Sequence, residues 1–224
     1  MDTVEYYFTS LDSTNNWAKE HASSFEKNTL SVIVAEEQTH GRARGGEKSW
    51  TSPIGNLYIS FAFQPKESSL PLTYSHMAAL AVQTVLQAYG IDSNIKWPND
   101  IFVNDKKIAG ILTETHEGFV IVGIGLNVNM SEITCAHIPK PATSMQVETH
   151  QTYDLDALQK LLQNSFVSSF DNISSVSSRY QEELQWMIGK TFSFTNDTGK
   201  VVGFDANGAL FLEVGPKIIK KITA

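Results

Sequence analysis

Two short runs of β-branched and aromatic residues, Leu30–Ala35 (LSVIVA) and Asn56–Phe63 (NLYISFAF), frame the stretch Gln38–Trp50, QTHGRARGGEKSW. Each run has the length and texture of a buried strand. The segment between them is longer than a hairpin needs and carries Gly41, Gly45 and Gly46 together with Arg42, Arg44 and Lys48. Loops of that size inside a compact domain are functional or disordered. Glycine lets backbone N–H groups come close to a ligand, and clustered cations neutralise an anion. Two readings stay open on the loop alone: a segment that closes over an anion such as phosphate, or an exposed basic loop without a ligand. With no apolar anchor before Trp50, mutual charge repulsion and glycine entropy predict ordering only when an anion arrives.

Composition removes several classes of function. A chain of 224 residues with 42% apolar content has material for a full core. A formal charge of −7 and a pI near 5.3 argue against a DNA-binding or membrane-surface protein. No apolar run approaches the roughly 20 residues that cross a bilayer. The acidic start Met1-Asp2-Thr3-Val4-Glu5 lacks the basic and apolar regions of a secretion signal. Cys135 is the single cysteine, which excludes an internal disulfide framework and suits a reducing, cytoplasmic setting. The six histidines are scattered, and neither H-E-x-x-H nor a cysteine pair occurs, so a His/Cys metal centre is not expected and no metal ligand is assigned. G-x-S-x-G and G-x-G-x-x-G are absent as well. Gly41, Gly46, Lys48 and Ser49 nearly spell a P-loop, but a P-loop opens into a helix and here a strand follows.

In chain order, Val4–Thr9 reads as a first strand, and Asp12, Ser13, Thr14 and Asn15 precede a helix over Asn16–Ala22. Those side chains either cap that helix or form a polar wall for a ligand. Pro71–Tyr89 is the clearest helix, with Met77, Leu80, Ala81, Val85 and Ala88 on one face and Gly90 as its stop. Asn104-Asp105 is a hairpin signal leading into Lys106–Thr115, and Gly118 precedes a strand over Phe119–Ile124. Met130–Gln151 has no clear period and reads as a surface crossing. Leu155–Phe170 is amphipathic, and a serine-rich connector, Ser165–Ser178, runs into a last helix ending near Met187. Beyond Gly189, Thr191–Thr195, Lys200–Phe204, Ala209–Val214 and Lys217–Thr223 are short strands, turning at Asn196–Gly199, Asn207-Gly208 and Gly215-Pro216.

Two polar clusters interrupt the apolar pattern. In Lys96-Trp97-Pro98-Asn99-Asp100 a proline stiffens the backbone between a cation and a carboxamide–carboxylate pair. Lys107 enters the apolar run Ile108-Ala109-Gly110-Ile111-Leu112, where its ammonium must either snorkel to solvent or meet an anion.

Ser13-Thr14-Asn15, Gln38 with Gly41-Arg42-Ala43-Arg44-Gly45-Gly46, Lys96–Asp100, Lys107–Leu112 and Gly123-Ile124-Gly125-Leu126-Asn127-Val128-Asn129 follow one another in a fixed order. That series resembles the biotin–protein ligases, also called biotin–acetyl-CoA-carboxylase ligases. The likeness spans nearly the whole chain, because the C-terminal strands are similar to that family's SH3-like module. The resemblance implies an α+β fold: a mixed sheet with helices packed on it, of the class II aminoacyl-tRNA synthetase-like kind, over residues 1–185, and a small SH3-like β-barrel over residues 186–224. It implies an enzyme that makes biotinyl-5′-AMP from biotin and ATP, with Mg²⁺, and passes biotin to a lysine of a biotin carboxyl carrier protein.

Residue by residue, the resemblance assigns Ser13, Thr14, Asn15, Gln38, Gly41, Arg42, Ala43, Arg44, Lys107 and Gly110 to biotin. It assigns Arg44, Lys96, Asn99, Asp100 and Asn127 to the nucleotide, with Arg44 and Lys107 as the catalytic cations. The loop departs from the family at Ala43, where glycine is usual, and at Gly45 and Glu47, where a basic residue is common. It also runs one residue longer before Trp50. The early first strand leaves no room for an N-terminal DNA-binding domain, so the resemblance is to the monofunctional branch, expected as a monomer or weak homodimer. A lipoate–protein ligase and a biotin sensor without catalysis are the alternatives that share these features.

Overall fold

Strands β1 (Asp2–Leu11), β2 (Thr29–Gln38), β3 (Leu57–Phe63), β4 (Asn94–Lys96), β5 (Asp100–Val103), β6 (Lys106–His116) and β7 (Phe119–Leu126) make one mixed sheet in the order β1-β2-β3-β7-β6-β5-β4. The structure is a computed structural model and describes residues 1–44, 49–65, 70–205 and 208–223. Only β1 and β2 are parallel, and a parallel pair needs a crossover, which helix α1 (Thr14–Glu20) provides. The other neighbours are antiparallel. Asn104 and Asp105 both take positive φ, at 48° and 62°, which gives the tight β5–β6 hairpin that their sequence predicts.

Helix α2 (Pro71–Ala88) starts with proline at its first turn and ends before Gly90, whose φ of 73° continues no helix. Its buried surface is wider than the one face read from the sequence: Tyr74 to Val82 are all buried, whereas Ala88 is exposed. The reason is its position between the sheet and two outer helices, α5 (Leu155–Ser168) and α6 (Ile173–Glu183). Leu158, Leu162 and Phe166 recur every fourth residue and turn α5 inward, where Phe166 stacks on Phe61 of β3 at 4.6 Å. Emptying such a site by Phe166→Ala costs about 3–5 kcal/mol.

The opposite face of the sheet carries much less. There Ala18, Ala22 and Phe25 cover Ile33, Ala62 and Ile121 in a small second core. Side chains alternate along a strand, so Gly123 and Gly125 continue the face of Ile121, met by Asn15 at the start of α1 and by the Trp50 ring. The cavity lies along that stretch.

Three sequence readings need correction. Met130–Gln151 is more than a surface crossing: it holds α3 (Glu132–Ala136) and α4 (Met145–Thr149), capped by Ser131 and Ser144, and buries Thr143, Ser144 and Met145 completely. The serine-rich connector is helical because α5 and α6 pack on α2, and its serines satisfy their hydroxyls on carbonyls of the preceding turn, as Ser168 Oγ does on that of Ser165. Strand β7 continues through Leu126 because its pairing with β3 and β6 extends that far.

The C-terminal strands β8 (Thr191–Phe194), β9 (Asp197–Phe204), β10 (Leu210–Gly215) and β11 (Ile218–Ile222) form a separate antiparallel sheet. Its first turn falls at Thr195 and Asn196, with Thr195 at a φ of 52°, so β9 begins before the Asn196–Gly199 turn read from sequence would allow. Of the expected Asn207-Gly208 turn, Asn207 lies outside the described residues. Val201, Leu210 and Leu212 join the main core.

Candidate active site

The floor of the cavity is main chain. Gly110 of β6 pairs with Gly125 of β7, and Gly123 lies two residues earlier on the same face. A Cβ on Gly125 would sit 2.6 Å from the indole nitrogen of Trp50, and one on Gly110 would sit 3.0 Å from the same ring. A Cβ on Gly123 would come within 2.2 Å of Asn15 Oδ1. Bare backbone therefore leaves space for the Trp50 ring and the Asn15 amide to lie directly on the sheet.

One end of the cavity is a closed network in which neutral groups face the cavity and a carboxylate paired with two cations backs them. Although Ser13 is the N-cap of α1, no side chain caps that helix. The side chains of Thr14 and Asn15 turn to the sheet and to Gln38 instead and line the cavity. Gln38 Oε1 accepts from the Thr14 N–H at 2.9 Å and from its hydroxyl at 3.2 Å, while Gln38 Nε2 donates to Ser52 Oγ. The fully buried Ser60 hydroxyl shares its hydrogen between Thr14 Oγ1 and Asn15 Oδ1, at 2.8 and 2.6 Å. Asn15 Nδ2 donates to the carbonyl of Leu112 and to Glu114 Oε2. Glu114 also takes Lys19 Nζ at 3.1 Å and Arg42 Nη1 at 2.8 Å. Burial alone would raise the Glu114 carboxyl, but the hydrogen bonds from Asn15 and Lys19 and the charge of Arg42 outweigh it and hold the group below its ordinary range.

The other end is charged. Across β5 and β6, Phe102 pairs with Lys107 and the next pair is Ile101 with Ala109, a bulge that passes over Ile108. Residues three apart on a regular strand face opposite ways, so the bulge is what places Lys107 on the side of Gly110, whose added Cβ would be 3.1 Å from Lys107 Nζ. The ammonium pairs with Asp100 at 2.5 Å and lies 4.9 Å from the Trp50 ring. The segment before α4 fixes the Lys107 backbone from outside: its N–H donates to the Pro141 carbonyl, and its carbonyl accepts from Thr143. Arg44 reaches over from the loop with its guanidinium 5.2 Å from the Phe194 ring of the C-terminal sheet. Its Nη1 is buried and has no hydrogen-bond partner among the described residues, and burial pushes the group's pKa down from its usual value.

Lys96-Trp97-Pro98-Asn99-Asp100 joins β4 to β5 through a cis Trp97–Pro98 bond. Trp97 is buried, donates from its indole nitrogen to the Gly208 carbonyl at 2.7 Å and meets Phe194 edge-on. Tyr180 of α6 donates to the Pro98 carbonyl and stacks on His76 at 3.7 Å. Asn99 Nδ2 donates to the Ile111 carbonyl, so its amide is committed on that side to β6.

A single cavity of about 970 Å³ gathers Ser13, Thr14, Asn15, Gln38, Arg42, Ala43, Arg44, Lys96, Asn99, Asp100, Lys107 and Gly110. Two expected residues are outside its lining. Gly41 is buried behind it, where a Cβ would collide with Ser52 Oγ and the Trp50 carbonyl at 2.5 Å. Asn127 donates to the Thr143 carbonyl, so its amide ties the segment before α4 to the end of β7. Gly45, Gly46, Glu47 and Lys48 lie outside the described residues. Sequence reasoning passed over Ser60, Glu114 and the cavity-lining Phe192 and Phe194. Glycines at positions 123 and 125, two apart in a strand, were the available signal for a trough. Glu114 was legible only as a carboxylate on the face of Gly110 and Leu112.

A family model described as the biotin/lipoate A/B protein ligase family matches residues 7–131. The chain is 33% identical over 240 residues to the bifunctional ligase/repressor BirA of Bacillus subtilis, covering 97% of this chain and 72% of that protein. It is also 33% identical to the biotin–[acetyl-CoA-carboxylase] ligase of Paracoccus denitrificans, over 69% of this chain and 68% of the relative. The solved structure of the Aquifex aeolicus biotin protein ligase in complex with biotin and ATP superposes with a TM-score of 0.82 at 28% identity, over 98% of this chain and 95% of the other. Among the described residues no helix is long and apolar enough to cross a membrane.

Proposed function

The chain belongs to the biotin/lipoate A/B protein ligase family as one of its biotin–protein ligases, and we propose that its cavity joins biotin to ATP before passing biotin to a protein lysine. The observation that carries this reading is the buried Arg44 Nη1, unpartnered among the described residues, in the same cavity as Lys107 and the hydrogen-bonding network of Thr14, Asn15 and Gln38. An acid and a nucleotide triphosphate repel each other, so the site that joins them must bring cations to the meeting point.

Biotin lies with its ring system against Ser13, Thr14, Asn15 and Gln38, its chain along the Gly110 floor and the Arg42–Arg44 backbone, and its carboxylate towards Lys107. Lys96, Asn99 and Asp100 face the nucleotide. A carboxylate oxygen of biotin attacks the α-phosphorus, the bond to the bridging oxygen of the β-phosphate breaks, and pyrophosphate leaves. Lys107 and Arg44 stabilise the charge that gathers on the α-phosphate during this exchange. The amine of a lysine on a biotin carboxyl carrier protein then attacks the acyl carbon, forming an amide, losing a proton and releasing AMP. Among the described residues no three His, Cys, Asp or Glu side chains converge on a common point, and Asp100 and Asp105 are the carboxylates lining the cavity. Mg²⁺ would be supplied with ATP and neutralise its phosphates, with Asp100 and Asp105 as the carboxylates within the cavity that could hold it.

An assay with biotin, MgATP and a carrier domain tests the reading. Biotin-dependent pyrophosphate release followed by biotin on the carrier is expected. Biotin binding without AMP formation identifies a sensor instead, and lipoate outcompeting biotin identifies a lipoate ligase.

A further inference from the structure

Glu114 lies outside the cavity lining, yet it touches two of the side chains that form the neutral end. It accepts from Asn15 Nδ2 at 3.0 Å through Oε2 and from Arg42 Nη1 at 2.8 Å through Oε1. Lys19 of α1 completes its partners. An ionised carboxylate only accepts hydrogen bonds, so it dictates which way the Asn15 amide faces. With one Nδ2 hydrogen on Glu114 and the other on the Leu112 carbonyl, both donors of Asn15 are used. What Asn15 presents towards Ser60 and the Gly123 floor is its oxygen.

We propose that Glu114 is a positioning residue, which fixes Asn15 as an acceptor and ties Arg42 to the wall, and so sets the affinity for the N–H-bearing ring of the acid substrate. The proposal rests on the biotin-ligase reading above. It predicts that the site selects ligands offering an N–H donor at this end, because a flipped Asn15 would present a donor to a donor.

Calorimetry with biotin, and separately steady-state adenylation, tests it on the full chain. Glu114→Gln offers an amide that no longer dictates the orientation, so biotin affinity falls about tenfold or more, the size of a lost charge-assisted hydrogen bond. The KM for biotin rises in parallel, while kcat and the KM for ATP stay within about threefold. Asn15→Asp alone sets two carboxylates against each other and binds poorly. Combined with Glu114→Gln the carboxylate pair is relieved, and the new glutamine amide donates to the new aspartate. The Leu112 carbonyl faces an oxygen in both variants that carry Asn15→Asp and so cancels from the comparison; the double variant therefore binds biotin more tightly than Asn15→Asp alone. A purely structural role gives no such rescue. Biotin affinity of folded Glu114→Gln within twofold of wild type overturns the proposal. Should Glu114→Gln fail to fold, a double variant that folds and regains biotin over Asn15→Asp upholds the proposal, and one that does not overturns it. Wild-type protein that binds no biotin overturns the ligase reading instead.

Discussion

The two ends of the cavity are built on opposite rules. At the Thr14–Asn15 end the side chains of Thr14, Asn15, Gln38, Ser60 and Glu114 all bond to one another or to the sheet. At the Lys107–Arg44 end a buried guanidinium nitrogen has no partner among the described residues, and a lysine pairs with Asp100 over an indole ring. A satisfied neutral network is rigid and fixes the shape and donor pattern of what it admits. Unfinished cationic groups carry a desolvation cost that an incoming anion relieves. On the proposed function, this contrast divides recognition from chemistry: one end selects the ligand, and the other stabilises charge that develops as bonds change.

If that division is right, substitutions at the two ends separate kinetically. Lys107→Ala has the largest expected effect, a loss of about a hundredfold or more in biotin-dependent pyrophosphate release with cooperative unfolding retained. Activity within a few-fold of wild type together with a marked loss of stability would mean that the lysine merely snorkels.

Next in size is an acid effect confined to the scaffold of the charged end. His76 is buried under Tyr180, and burial pushes its pKa down to about 4 from the usual 6.5. The unfolded chain binds the proton more readily, so the penalty is absent above pH 6.5 and grows as pH falls towards about 4. It reaches roughly 3 kcal/mol. His76→Phe should flatten the stability curve over that window in urea titrations; an unchanged slope would remove His76 as its source. Glu114 acts in the same direction, because its folded carboxyl also takes up a proton less readily than the unfolded one: its contribution is complete above the ordinary carboxylate range and is lost as pH falls through its depressed value.

Gly123→Ala then probes the neutral end. Its methyl group would displace the Asn15 amide, raising the biotin KM about tenfold with kcat at saturating biotin nearly unchanged. A kcat loss without a KM change would show that the ends are not separable. Phe194→Leu is the smallest perturbation, removing the ring beside Arg44. A loss of about threefold in kcat/KM is expected from a partly desolvated cation–π contact, and none if Arg44 is held by other means.

Much of this was legible in the chain. The strands flanking the loop, the Asn104-Asp105 hairpin and the Pro71–Tyr89 helix follow from periodicity and turn chemistry. Lys107 stood out because a cation in an apolar run demands a reason. Its facing could not be read, since the bulge that sets it arises from pairing with β5 and not from local sequence. Ser60 and Glu114 were hidden for a related reason: each is an ordinary polar residue in a strand, and only the approach of α1 gives it a task. The helical character of Ser165–Ser178 was missed because packing on α2 outweighs the weak helix preference of serine.

The glycine floor bears on how this site changes under selection. A wall of side chains can be trimmed, deepened or re-shaped one substitution at a time. A floor of bare peptide has nothing to trim, and any replacement at Gly110, Gly123 or Gly125 adds atoms where Lys107, Asn15 or Trp50 already stand. An inhibitor that draws its affinity from this floor therefore leaves few mutational routes of escape that keep the enzyme working. One that draws on the walls leaves many.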